Sequence, residues 1–321
     1  MRVLITGATG FVGGRIARRY SQQGDQVTAV VRTASSALEE IGVLQLDGGF
    51  EAVDADLCAG IDLIVHAAAG TGPDLEQART VNQGGTAHLV DTALAAGVGR
   101  FVHISTTSVY HRADGGDAVL GEDTPLVTAG GAPGEAGSTG SAYAVTKAEA
   151  EHEVQRAVDD GLCAAVLRPP AILGAGPTST WGTRIPRRLL DGDPLPIHPD
   201  TTFGWVHIDD LVDVLVAAGA SRDVFVANVV TGHVPFRTYL DAVATILPDQ
   251  PPSPVVPATE PWRGRYATDR APTILGVPIE RRFDDAMDEI ADSWRAGDPE
   301  QTGVPDGASA GAPTPTEEPE A

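Results

Sequence analysis

Apolar residues fall in two rhythms along most of the chain. Short runs such as Val3-Leu4-Ile5, Val27-Thr28-Ala29-Val30-Val31, Val43-Leu44-Gln45-Leu46 and Leu63-Ile64-Val65 are almost wholly β-branched or aliphatic. Runs of this length predict strands covered on both faces. Between them, as in Arg15-Ile16-Ala17-Arg18-Arg19-Tyr20 and in residues 141–151, the pattern is helical. Strands alternating with helices predict an α/β chain built on a parallel, doubly wound sheet. Such sheets bind ligands at the carboxyl ends of their strands, so the residues just after each run are the place to look for chemistry.

After the first strand comes Thr6-Gly7-Ala8-Thr9-Gly10-Phe11-Val12-Gly13, and then a helix. A strand, a glycine turn and a helix amino terminus form a pyrophosphate site: backbone N–H groups point at the anion and only Gly lets it come close. Gly7, Gly10 and Gly13 are spaced one residue wider in the first gap than the usual G-x-G-x-x-G, and Thr9, Phe11 and Val12 complete the turn. The second strand ends at Arg32. An acid there would hold the ribose 2′-hydroxyl of NAD, whereas Arg accommodates the 2′-phosphate of NADP, so NADP is favoured over NAD. Asp47 ends the third strand, where an adenine would lie. The fourth ends in Ala67 and Ala68, small enough to let backbone approach a dinucleotide. His66, inside that strand, is expected to be a satisfied core histidine rather than a catalyst.

Residues 141–151 open with Ser141-Ala142-Tyr143-Ala144-Val145-Thr146-Lys147. A spacing of four puts the phenol and the ammonium on one helical face, a turn apart. A free Tyr titrates near pH ~10, and a fixed cation beside it stabilises the phenolate, so Lys147 is expected to lower the Tyr143 pKa and make the pair an acid/base device. Composition adds weight. Lys and Arg total 22, and Lys147 is the one lysine among them. Arg is forked and always charged, so a site that needs a compact ammonium cannot accept the substitute.

These stretches resemble the extended short-chain dehydrogenase/reductases, the group that contains the NAD-dependent epimerases and dehydratases. The likeness rests on residues 6–13, 66–69, Val81-Asn82-Gln83-Gly84-Gly85-Thr86, Phe101-Val102-His103-Ile104-Ser105-Thr106-Thr107-Ser108-Val109-Tyr110, and Tyr143 with Lys147. It continues through Leu167-Arg168-Pro169-Pro170-Ala171-Ile172, Trp205-Val206-His207-Ile208-Asp209-Asp210-Leu211, Asp269-Arg270 with Leu275-Gly276, and a last helix ending at Trp294. It implies one domain over 1–296: a Rossmann core over about 1–170 plus 203–231, and a smaller C-terminal substrate lobe over about 171–202 and 232–296. It also implies that Thr106 is the hydroxyl partner of Tyr143, that Asn82 lies near the cofactor, that Pro170 lies beside the nicotinamide, and that Lys147 holds the nicotinamide ribose. Members often dimerise through the helices bearing Asn82 and Tyr143.

Nucleotide-sugar members of that group usually carry Asn after the Arg of the sixth strand and an Arg just ahead of V-H-x-x-D-L. Here the two places read Arg168-Pro169-Pro170 and Phe203-Gly204-Trp205-Val206-His207. The expected activity is therefore NADP-preferring hydride transfer to or from a carbonyl or alcohol of a small or cyclic organic substrate, with Tyr143 moving the proton. Alternatives are a nucleotide-sugar epimerase or dehydratase, to which Arg184, Arg187 and Arg188 could still lend charge, and a non-catalytic NADP sensor. Trp181, Phe203 and Trp205 hint at a ring-shaped substrate, with plain core packing as the favoured alternative.

The rest of the composition narrows partners. Hydrophobic content of 42% and charged content of 21% are those of a globular chain, and a formal charge of −22 opposes nucleic acid and anionic membrane as partners. No apolar run reaches the ~18 residues of a spanning helix, and the start of the chain goes straight into a strand, so a cytoplasmic location is expected. Cys58 and Cys163 are too few for a disulfide framework or a metal cage, and both read as buried thiols. The glycine-rich residues 128–140 read as a mobile lid or a tolerated insertion. Residues 297–321, with acids and no base, read as a disordered tail.

Overall fold

The computed structural model describes residues 1–112, 116–128, 141–193, 195, 197–247 and 260–297. The glycine-rich segment after Thr128 and the tail beyond Gly297 lie outside these. The strands in chain order are β1 (Arg2–Thr6), β2 (Gln26–Val31), β3 (Leu44–Asp47), β4 (Leu63–His66), β5 (Arg100–Ile104), β6 (Val119–Leu120), β7 (Ala164–Arg168), β8 (Ala171–Leu173), β9 (Thr202–His207), β10 (Phe225–Asn228), β11 (Gly232–Pro235) and β12 (Arg265–Tyr266). Seven of them form one sheet in the order β10-β7-β5-β4-β1-β2-β3, and every pairing in it is parallel. Two core clusters flank it, one around Val3, Ile5 and Val65, the other around Leu4, Ile64 and Phe101. Successive side chains of β1 therefore enter opposite layers, which is why Val3-Leu4-Ile5 at its centre is apolar on every residue rather than on every second one.

The strand order reverses between β1 and β4. Beyond that point the chains leaving the two strands diverge to opposite faces and open a crevice at the carboxyl edge. Gly7 leaves β1 with φ of +73°, and a Cβ built on it would stand 2.6 Å from the Ala68 backbone nitrogen. Any side chain at residue 7 would thus be strained twice, by conformation and by contact.

Expectation and structure part at Pro169-Pro170. Of residues 203–231, expected in the core of the large sheet, the helix Ile208–Ala220 packs against that sheet and β10 joins it, but the first stretch does not. Thr202–His207 instead pairs with β8 and β11 in a separate three-stranded sheet. Two consecutive prolines offer no N–H to a ladder, so the chain must quit the large sheet after Arg168, and β8 then starts a new one. Behind that small sheet a third cluster gathers Phe203, Trp205, Phe236 and Tyr239, with the helix Phe283–Arg295 packed on it. Trp181 joins Phe203 with ring centroids 4.9 Å apart. The three aromatics that hinted at a ring-shaped substrate are thus packed against core, with Phe203 and Trp205 buried. Cys58 is buried as expected, while Cys163 is partly exposed.

Candidate active site

The helix Phe11–Gln22 starts at Gly10, which caps it without any side-chain hydrogen bond, and its first turn holds no acid. Its leading N–H groups therefore face the crevice with nothing of their own to neutralise them. Gly13 is packed so tightly that a Cβ on it would meet the Gly7 carbonyl oxygen at 2.1 Å, and the Gly10 N–H donates to that same oxygen at 2.9 Å. Together Gly7, Gly10 and Gly13 make a cradle that a single added methyl would fill, which suits a pyrophosphate. Thr9 and Gly10 are exposed at its rim, and Phe11 and Val12 are half-buried. Arg32 is exposed at the end of β2, and Asp47, also exposed, ends β3 opposite Val31. Both lie on the edge that carries the glycines.

Across the crevice, β4 ends in a hydrogen-bonded lattice. His66 is 1% exposed and both its ring nitrogens are engaged, Nδ1 with the Thr6 hydroxyl at 2.7 Å and Nε2 with the Thr86 hydroxyl at 3.0 Å. Because Thr86 donates onward to the Asn82 carbonyl oxygen at 2.5 Å, it receives from Nε2–H, and Nδ1 accepts from Thr6. Burial holds this ring neutral, with its pKa lowered to about 3. His66 is a core histidine that ties β1, β4 and the following helix together.

Asn82 is 1% exposed, and its side chain is spent on protein partners. Oδ1 accepts from the Gly70 N–H at 2.7 Å, while Nδ2 donates to the Gly70 oxygen at 3.0 Å and to the Thr146 hydroxyl at 2.8 Å. It ties the segment after β4, at Gly70, to the helix that follows Ser141. Its amide is thus buried and bonded to protein through both of its polar atoms.

The helix Ala142–Asp159 is capped by Ser141, whose hydroxyl accepts from the Ala144 N–H at 3.3 Å. It carries Tyr143 and Lys147 to the end of β5, on the same edge as the glycine turn. The Tyr143 hydroxyl is hydrogen-bonded to Thr106, the first residue but one beyond β5. Thr106 is held in turn, since its hydroxyl accepts from the Ser108 N–H at 3.1 Å. Pro170 sits half-buried where the chain leaves β7, and the Pro169 carbonyl accepts from the Thr107 N–H at 3.0 Å.

The electrostatics differ from the expectation. Burial pushes the Tyr143 phenol above its ordinary pKa, and the bond from Thr106 pulls it only part of the way back. Lys147 does not lower it. Its ammonium is engaged by other partners, donating to the Ile104 carbonyl at 2.8 Å and standing 3.0 Å from Nε2 of His103. Lys147 is itself 1% exposed, and burial brings its pKa down to about 7, against the pull of Glu151 one turn on. The spacing of four sets the shared face, but the rotamer of a four-carbon stem decides where the charge goes.

The sequence reading passed over two residues that hold this helix. Glu151 takes the Arg168 guanidinium in a bidentate pair, Nε to Oε1 at 3.0 Å and Nη2 to Oε2 at 2.5 Å, with both side chains buried. Ser105 donates to Glu151, and Arg168 donates to the Tyr110 hydroxyl at 2.7 Å, which donates to Asn228 at 2.8 Å. The ends of β5, β7 and β10 are thereby locked to the Tyr143 helix. The signal was available: Glu151 follows Lys147 by one helical turn, and Arg168 is the one charge in an apolar run.

The sequence model of the NAD dependent epimerase/dehydratase family matches residues 3–229, well over half of the chain. The chain belongs to that family. It is 33% identical to a 3-diazoavenalumate denitrifying reductase of Streptomyces sp over 92% of this chain and 99% of that one. A 2-alkyl-3-oxoalkanoate reductase of Stenotrophomonas maltophilia (strain K279a) is 36% identical, but over 55% of this chain and 52% of its own, so that match spans about half of that relative. A UDP-glucose 4-epimerase of Vibrio cholerae is 28% identical over 72% of this chain and 71% of its own. Among solved structures, MoeE5 in complex with UDP-glucose and NAD superposes with a TM-score of 0.76 at 22% identity, over 92% of this chain and 99% of that one, a likeness of fold. Members of the family are named as NAD-dependent reductases, epimerases and dehydratases, and this is the class of enzyme to which the chain belongs.

Proposed function

We propose that this protein is an NADP-preferring carbonyl reductase or alcohol dehydrogenase acting on a small or cyclic organic substrate. The observation that carries this reading is the juxtaposition, on one edge of the sheet, of the glycine cradle with a Tyr143 hydroxyl bonded to Thr106. When bound, the nicotinamide supplies or accepts the hydride. Gly7, Gly10 and Gly13 with Thr9, Phe11 and Val12 would cradle the pyrophosphate, Ala67 and Ala68 would floor the crevice, and Pro170 would line the nicotinamide side. Arg32 would meet a ribose 2′-phosphate, with Asp47 beside the adenine.

Tyr143 donates its proton to the substrate oxygen in the reductive direction. A phenol raised above its ordinary pKa is fully protonated at neutral pH, ready to act as the acid. Thr106 fixes that oxygen by a second hydrogen bond. Lys147 supplies the one compact cation nearby, available to a ribose hydroxyl and to charge growing on Tyr143.

Two absences favour a reductase over the nucleotide-sugar alternative: no Asn follows Arg168, and the stretch Thr202-Phe203-Gly204-Trp205 ahead of Val206 holds no Arg to pair a diphosphate. The relative matched along its whole length is named a reductase, which supports the same side. A reductase must exchange its cofactor every turnover, whereas an epimerase commonly keeps it.

The test is to mix purified protein with NADPH or NADH and a panel of aldehydes, ketones and sugar nucleotides, following loss of reduced cofactor. Turnover of a simple carbonyl, faster with NADPH, is expected. Tyr143→Phe should lower turnover by roughly 10²-fold or more while leaving cofactor affinity intact. Epimerisation of a sugar nucleotide without net loss of reduced cofactor would overturn the reading.

A further inference from the structure

Among the described residues, one buried polar atom without a partner lies at this site: Nδ1 of His103. His103 is in β5 and is 0% exposed. Its ring lies 5.1 Å from that of His66, centroid to centroid, and its Nε2 is 3.0 Å from Lys147 Nζ. Packing alone does not account for a histidine here. An apolar ring would fill the space without stranding a polar atom away from water, which is unfavourable. The compensating gain is the bond to Lys147.

The proton in that bond has two possible owners. If Nε2–H donates, Lys147 must be a free amine and Nδ1 a bare lone pair. If Nε2 accepts, Lys147 keeps three protons and the ring carries its hydrogen on Nδ1. Only the second makes a charge-assisted bond, which is about twice as strong as a neutral one. Glu151, the carboxylate that faces Lys147 from its own helix, acts in the same direction.

We propose that His103 is a positioning residue for Lys147: its neutral imidazole accepts a hydrogen bond at Nε2 and so holds the chain's one ammonium, charged, against β5. With Ile104 oxygen taking a second N–H, one N–H of the ammonium is left for a ligand. His103 does not relay protons. Its Nδ1 has nowhere to pass one, and both nitrogens of the neighbouring His66 are already engaged by Thr6 and Thr86. The charged group that acts on Lys147 is Glu151, itself paired with the Arg168 guanidinium, and the Lys147 charge is felt by His66 as well as by His103. The consequence for catalysis rests on Lys147 being the site cation, but the protonation of the pair does not.

A single lysine makes the test direct, because the full-length protein grown on isotopically labelled lysine gives one side-chain NMR signal. Its pH titration reads Lys147 alone, with no substrate or cofactor needed. His103→Phe should move the midpoint down by about one pH unit or more, since it removes the acceptor and leaves the burial. His103→Gln, which brings back a carbonyl acceptor, should recover part of the shift. An unchanged or raised midpoint in His103→Phe overturns the proposal. Should that variant not fold, histidine-labelled wild type gives the answer: the resonance lost in His103→Gln should show a bare Nε2 and a protonated Nδ1, and the reverse tautomer overturns the proposal. NADPH affinity, measured in parallel across the same pH range, separates the two readings. A lysine midpoint that moves without any change in NADPH binding would leave His103 its role and remove Lys147 from the cofactor site.

Discussion

At the scale of single residues, the site divides into side chains that face the crevice and side chains that hold them. Arg32, exposed at the end of β2 on the edge that carries the glycines, is the one proposed to select the cofactor. A hydrogen bond to a charged group is worth about 1.5–3 kcal/mol, so Arg32→Ala should raise the NADP Michaelis constant roughly ten- to a hundredfold and leave that for NAD almost unchanged. Steady-state kinetics with both cofactors would show it, and equal losses for both would deny Arg32 a role in the choice. Arg32 could be read from the sequence because its position follows from strand order alone. The state of Tyr143 could not. Spacing predicted a cation that lowers its pKa, whereas burial raises it and Lys147 is held by His103 and Ile104. Burial depends on which elements cover a residue, and that is fixed by tertiary packing far from residues 143–147.

At the scale of elements, the Tyr143 helix is docked by charge as much as by apolar contact. Its apolar face is made of small residues, Ala144, Ala148 and Ala150 among them, so it buries little area per turn. The bidentate Glu151–Arg168 pair fixes its register on the sheet instead. Glu151→Gln would leave a buried guanidinium without its counter-charge, and losses of about 3–5 kcal/mol follow from breaking such pairs. Denaturant unfolding should show that loss, and replacing both partners with apolar residues should return part of it. A change below ~1 kcal/mol would mean that the pair is hydrated in solution. The helix and its cap at Ser141 were legible from periodicity and from one hydroxyl. The break after Arg168 was legible only as a proline pair, and where the chain goes next depends on a partner strand more than thirty residues away, Thr202–His207.

At the scale of the whole molecule, one carboxylate joins the C-terminal lobe to the first helix. Glu289, on the helix Phe283–Arg295, accepts from the Ala175 N–H at 3.2 Å and meets Arg15 at 3.5 Å and His207 at 3.4 Å. These contacts hold its pKa below the ordinary 4.5, the bond with His207 first among them. A carboxyl depressed by folding contributes stability that is complete above its unfolded value and fades as pH falls through the folded one. Docking of the lobe on the dinucleotide half should therefore weaken on the acid side, below about pH 4.5. Glu289→Gln removes the titration: melting temperature should drop at neutral pH and its acid decline should flatten, the two proteins converging at low pH. Because Glu289 is about one-third exposed, solvent screening keeps the effect to a few degrees at most. Parallel melting curves at every pH would show that the lobe is held by its apolar cluster alone. Convergence would instead mark Glu289 as an acid-sensitive tie to the helix that opens the glycine cradle, since that helix carries Arg15, which also donates to the Ala175 carbonyl at 2.7 Å.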